Sequence, residues 1–424
     1  MMKEILLPYG GKKIRFVIKT NHLIKLLDVR SLPPIVDLDK ALNKVLNHPA
    51  GTLRFERFFK NGQKVGILVS DITRLPTAKI YLPGILQRLN ALGIPDRDIS
   101  IIFTTGAHRR HTKKEQRFLV GDEIYQRIKV FDHDCHNKPA LSLVGRTRYG
   151  NKIFINRRVL SVDRLIATGK IDFHYFAGYG GGRKSILPGI CGFDTIRYNH
   201  QLCLHNKGAR AGEYLRNPVN QDMLAAVKFL KPVFMINVVL NQDKKICKFF
   251  AGDLIKAHRQ GCKFIDKIYR PRANFKADLA IVSAGGRPLD INFVQVHKAI
   301  DNAKDVIKKG GVMIVLAECR EGFGSRGIEK YFKMYTSENI ESALRKRFTI
   351  PGHTVYAALV KTKKFRIIFV SKMSRKNTEL MSMIYAKNIK QAFALAEKYL
   401  PVDFKTYVIP NAAILLPKVV LNRI

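Results

Sequence analysis

The chain has 424 residues, 46% of them hydrophobic, and 75 Lys and Arg against 33 Asp and Glu, for a net charge of +42. That apolar content excludes wholesale disorder, and the length predicts two domains. No run of about 18 apolar residues occurs, so no segment is expected to span a membrane. The opening "MMKEILLPYGGKKIRF" lacks the apolar h-region of a signal peptide. Six scattered cysteines (135, 191, 203, 247, 262, 319) form no C-x-x-C pair, which fits buried free thiols in a reducing cytoplasm.

Apolar runs predict buried strands at 64–71, 99–106, 127–134, 163–170, 232–240, 277–286 and 310–318. Helical periodicity predicts helices at 77–92, 220–230, 253–269 and 293–309. This alternation predicts an α/β protein of two domains with mainly parallel sheets. The polar segment 269–278 sets the boundary. Residues 1–272 are expected to form an N-terminal cofactor-binding domain and 273–403 a substrate-capping domain. Near the end, "YVIPNAAILLPKVVL" reads as one or two core strands, broken by Pro410 and Pro417. Residues 404–424 are a candidate return to the first domain.

In such sheets ligands bind beyond the carboxyl ends of the strands, and here that places a site in the interdomain cleft. Those ends carry "SDITRLP" (Asp71, Thr73, Arg74), "TTGAHRRHT" (His108, His111), "DHDCH" (His133, His136) and "DFHYFAGYGGGRKSILPGI" (His174, Lys184). "IRYNHQLCLH" follows, with His200 and His205. Seven of the twelve histidines fall between 108 and 205, which favours a site over scattered capping histidines. His108-x-x-His111 and His133-x-x-His136 have a zinc-like spacing, but neither H-E-x-x-H nor a cysteine pair supports them. A lone imidazole beside sulfur or nitrogen donors from a cofactor suits nickel or copper better. The glycine run is neither a P-loop nor a dinucleotide fingerprint, because Arg183 stands where each needs glycine. Its backbone could still cradle an anion, or be a plain turn. Lys184 at a glycine-rich tip suits covalent attachment to a carbonyl-type cofactor, and Arg74 suits bidentate capture of a carboxylate.

The basic residues run along the whole chain. "RKRF" (345–348) and "KTKKFR" (361–366) lack the interleaved aromatics of RNA-binding modules, so the charge reads as general lysine enrichment rather than nucleic-acid binding. A positive surface also draws in a small anionic substrate.

The motifs from "SDITRLP" through "DFHYFAGYGGGRKSILPGI" and "YNH" to "SAGGRPLDINFVQVHKA" and "GGVMIVLAECREGFGS" resemble the nickel-dependent lactate racemase family, over most of the chain. The resemblance implies an isomerase that racemises or epimerises 2-hydroxy acids through a 2-keto acid. The implied cofactor is a nickel–pincer nucleotide, a pyridinium bisthiocarboxylate mononucleotide linked to Lys184 and supplied by cofactor-biosynthesis proteins. It implies His200 as the nickel ligand and His108 and His174 as the acid/base pair. Asp71, Ile72, Thr73 and Arg74 would contact the cofactor. Arg74, Gln295 and Lys298 would bind the substrate carboxylate. Val294 and Arg287 depart from the pattern of the lactate enzymes, which opens the substrate to other 2-hydroxy acids, with Arg287 as a candidate second anion contact or a plain surface arginine. The alternative from another class is a nonenzymatic nickel or nucleotide binder with a basic, nucleic-acid-contacting surface.

Overall fold

The computed structural model describes residues 1–29, 32–204 and 207–420, Arg326 by its backbone alone; His205 of the histidine set and the last four residues lie outside the described residues. The chain forms two units, Ser31–Asp266 and a second made of Met1–Arg30 with Lys267–Ile424. Each is built on its own six-stranded sheet.

The first sheet runs, edge to edge, Ile246–Asp253, Val233–Leu240, Arg164–Lys170, Val65–Ser70, Ile99–Thr104 and Lys129–Asp132. All neighbours are parallel except the Ile246–Asp253 edge strand. The inner strands are apolar and buried almost end to end, as a sheet covered on both faces requires. Helix Ala78–Ala91 and the rings of Phe55, Phe59 and Phe234 pack into one core with it. From Val65–Ser70 the chain first winds outward through two strands, then crosses back to Arg164–Lys170 and beyond. The winding therefore reverses between Val65–Ser70 and Arg164–Lys170, and the loops leaving these two strands flank the position where open α/β sheets bind ligands.

The second sheet is parallel throughout, in the order Ile384–Ala386, Arg366–Val370, Ile307–Leu316, Ala277–Ser283, Thr406–Ile409 and Leu23–Leu26. This corrects the expected domain boundaries. Leu23–Leu26 pairs with Thr406–Ile409 beside Ala277–Ser283, so residues 1–30 and the described part of 404–424 both fold with the second unit. Strand pairing across nearly the whole chain leaves no local trace in sequence. The hairpin of Met2–Tyr9 with Lys12–Lys19 packs its apolar face on the same core.

Helix Phe293–Ala303 stops short of the expected 309, because the chain turns at Lys304–Val306 and enters the strand Ile307–Leu316. The two basic clusters fall at helix C-terminal turns, Ile340–Lys346 and Ile350–Lys364, where cations complement the helix dipole. Lys361 is buried against Asp301 at 2.6 Å. Among the described residues no helix is long and apolar enough to cross a membrane.

Candidate active site

Strand Val65–Ser70 delivers the turn Asp71–Arg74, closed by Arg74 N donating to Asp71 O at 3.0 Å. Asp71 is buried and acts as a hub: Thr73 Oγ1 donates to one oxygen at 2.7 Å, and His108 Nδ1 meets the other. Burial pushes this carboxyl up, but the His108 hydrogen bond and charge, with Arg74 and Thr73, hold it below its usual value. Asp71 is therefore a carboxylate, and the His108 side chain, 54% exposed, is oriented by it.

Strand Ile99–Thr104 delivers His108. Its loop is tied to the turn after Lys184 by Gly106 N donating to Gly189 O at 3.1 Å. Strand Arg164–Lys170 delivers the third segment, in which Phe176 is the centre. His174 lies 4.7 Å from the Phe176 ring between centroids, His200 lies 4.9 Å from it, and Lys184 Nζ is 5.7 Å from its centroid. Three residues expected at the site therefore share one buried phenyl ring. Ala177 N donates to His174 Nδ1 at 3.3 Å.

The glycine run that carries Lys184 is closed and packed, which favours the plain turn over the anion cradle. Gly180 N donates to Asp172 O at 2.7 Å, and Gly182 N donates to Asn237 Oδ1 at 2.7 Å. A Cβ on Gly180 would sit 1.9 Å from Asp172 Oδ1. Arg183 is fully buried, and it clamps the loop through Asn220 Oδ1 (2.6 Å), Ala177 O (2.8 Å) and Gly181 O (3.2 Å). Among the described residues no carboxylate pairs with it, and burial lowers its pKa. His258 lies beside it, 2.8 Å from Gly180 O; burial and then the Arg183 charge push its pKa down to about 3, so it is neutral. Arg183 was visible in sequence only as the residue that spoiled two motifs.

The other strand-end histidines separate. His133 is a core residue between Cys191 O (2.9 Å) and Asn156 Nδ2 (3.1 Å), its pKa pushed down to about 4 by burial. His136 packs on Phe193. His111 bonds Asp132 and the backbone of Ile72. Gln295 and Lys298 sit on helix Phe293–Ala303 of the second unit, with Lys298 Nζ donating to Gln295 Oε1 at 2.8 Å. Arg287 is bound by the Glu318 carboxylate through Nε and Nη2 (2.9 and 2.8 Å), a carboxylate it shares with Lys372.

Two family models match, the lactate racemase N-terminal domain over residues 9–212 and the lactate racemase C-terminal domain over 273–416. The lactate racemase of Thermoanaerobacterium thermosaccharolyticum is 32% identical over 423 residues, covering 97% of this chain and 98% of that protein. The chain belongs to the lactate racemase family. The family's Lactiplantibacillus plantarum lactate racemase is 36% identical over 289 residues, 68% of each chain. The solved lactate racemase apoprotein from T. thermosaccharolyticum superposes with a TM-score of 0.92 at 30% identity, covering 98% of this chain and 100% of that one. A Thermotoga maritima protein shares the fold, with a TM-score of 0.67 at 15% identity over 90% of this chain and 97% of its own.

Proposed function

We propose that the protein racemises a small 2-hydroxy acid of the lactate type, with His108 and His174 working on the substrate hydroxyl. The observation that carries this reading is a pair of imidazoles held in opposite tautomers. A carboxylate only accepts, so neutral His108 keeps its Nδ1 hydrogen on Asp71 and leaves Nε2 bare. A backbone N–H only donates, so His174 accepts from Ala177 at Nδ1 and carries its hydrogen on Nε2. His108 is thus set to take a proton at Nε2, and His174 presents one from Nε2 once its ring is protonated.

The proton count defines the cycle. His108 Nε2 takes the hydroxyl proton of one enantiomer and becomes an imidazolium, stabilised by Asp71. The 2-keto acid turns, and His174 returns a proton to the oxygen on the other face. To do so without leaving an imidazolate, His174 starts as an imidazolium. Both its nitrogens then carry hydrogen, so the 3.3 Å Ala177 bond opens. After one turnover the two rings have exchanged roles, and the site is set for the opposite enantiomer. Arg74, beside Asp71 on the turn, binds the substrate carboxylate in bidentate fashion. On the second unit, the resemblance makes Gln295 and Lys298 the candidates for binding a carboxylate.

The residues fit a nickel–pincer nucleotide. Lys184 and His200 both pack on the Phe176 ring, which supports an amine for a covalent link and an imidazole for nickel serving one group. Among the described residues no cluster of three or more His, Cys, Asp and Glu side chains could hold a metal ion. A metal at His200 would take its remaining donors from an organic ligand. When bound, that group would supply an electron-poor ring able to take and return the C2 hydrogen with its electron pair. Lys184 would tether it, His200 would ligate the nickel, and residues 71–74 would line its flank. The test is to purify the protein after co-expression with the cofactor-making proteins, then measure nickel, intact mass and racemisation of a single lactate enantiomer. Metal-free protein of unmodified mass that leaves the enantiomer untouched would overturn the reading.

A further inference from the structure

We propose that His111, through Asp132, is the positioning residue that fixes the Asp71 turn and so aims His108. This rests on the reading of His108 as a proton carrier. His111 is the second member of the H-x-x-H spacing, and its side chain is fully buried. Ile72 N donates to its Nε2 at 3.0 Å, and its Nδ1 lies 2.5 Å from Asp132 Oδ1. Because an amide N–H only donates, Nε2 is bare, Nδ1 carries the hydrogen, and that hydrogen goes to Asp132. Asp132 Oδ2 accepts in turn from His111 N and Gln116 Nε2, both at 3.0 Å.

The neighbouring helix start and one phenyl ring hold His111 itself in place. Thr112 and Glu115 close a capping box at the start of helix Lys113–Val120, and Phe103 stacks edge-on against the imidazole at 5.1 Å. The bonded amide belongs to the residue after Asp71. A shift of Ile72 therefore moves the carboxylate that sets the His108 tautomer and ring angle. Two histidines three apart thus hold adjacent residues of one turn: His108 meets the Asp71 carboxylate and faces substrate, and His111 holds the backbone of Ile72.

The test uses His111→Gln, His111→Leu and Asp132→Asn. Glutamine returns an acceptor oxygen at a similar reach, and leucine removes it. An asparagine amide can donate to Nδ1 and so favours the wrong imidazole tautomer. In protein without cofactor, long-range 1H–15N spectra should show His111 protonated at Nδ1 alone. Hydrogen exchange should show the Ile72 amide protected in wild type and His111→Gln, and exposed in His111→Leu and Asp132→Asn. In loaded protein, single-turnover formation of keto acid is then followed for each enantiomer. His108→Ala identifies the enantiomer that His108 serves. That enantiomer should react roughly 10–100-fold more slowly in His111→Leu, the scale of a reacting group displaced by about an ångström. The other should lose far less, with rescue in His111→Gln. An unchanged Ile72 amide in His111→Leu, or equal slowing of both enantiomers, overturns the proposal. Wild type that forms no keto acid from either enantiomer overturns the racemase reading instead, and the Ile72 amide still decides the brace.

Discussion

Replacing Gly182 with Ala probes whether the lysine loop is as closed as its hydrogen bonds indicate. Gly182 has φ +54°, and a Cβ there would lie 2.6 Å from His258 Cγ and Cδ2 and 3.0 Å from His258 Cβ. The ring cannot step aside, because it is buried between Gly180 O and Arg183. Two costs add. The left-handed backbone costs an L-residue about 1–2 kcal/mol, and forcing a methyl into a packed site costs about 1–3 kcal/mol, giving roughly 2–5 kcal/mol together. Gly62 separates them: at φ +80° its Cβ would meet nothing within 4 Å, so Gly62→Ala carries the backbone cost alone. Gly180 lacks a positive φ but has the 1.9 Å overlap, so Gly180→Ala carries the packing cost alone. Urea unfolding, followed by hydrogen exchange within residues 31–266, ranks the three. The expected order puts Gly182→Ala well below Gly62→Ala. Equal destabilisation of those two would refute the packing of the loop on His258, and with it the account of how Lys184 is held.

Changing His200 to Ala should abolish nickel retention while leaving the fold intact by circular dichroism; undiminished nickel in that variant would remove His200 as ligand. His108→Ala and His174→Ala should each cut racemisation by roughly 10²–10⁴, the usual worth of general acid–base help. Each variant should fail to oxidise a different enantiomer. His133 gives a stability prediction. Burial lowers its folded pKa to about 4 from an unfolded value near 6.5. The unfolded chain therefore takes up a proton first as pH falls through 6.5. The contribution of neutral His133, full above that pH, is lost on the way down to about 4, at up to about 1.4 kcal/mol per pH unit. His133→Gln should flatten urea stability between pH 6.5 and 4, and an unaltered slope would contradict the burial argument.

What the sequence revealed, and what it hid, divides along physical lines. Buried parallel strands are continuous apolar runs, so Val65–Ser70, Ile99–Thr104 and Arg164–Lys170 were legible locally, and their ends led to Asp71, His108 and His174. The pairing of Leu23–Leu26 with Thr406–Ile409 was hidden because it joins segments about 380 residues apart. Helix Ile350–Lys364 was hidden too. It carries Pro351 in its first turn, is buried along much of its length and ends on lysines, so it shows no polar stripe to count. The family resemblance named Lys184 and His200, but the Phe176 ring that gathers them with His174 is a matter of tertiary packing. The part played by His111 was hidden for a related reason. A spacing reports that two imidazoles lie near each other, and only the partners of their nitrogens report which one meets substrate.

The most direct measurement is to follow one pure lactate enantiomer with the loaded protein in deuterium oxide, by chiral chromatography and mass spectrometry. The account predicts drift towards equal enantiomers with the original C2 hydrogen retained, because only the hydroxyl proton passes through His108 and His174. Racemisation with solvent deuterium at C2 would contradict it, since the histidines would then be working on carbon.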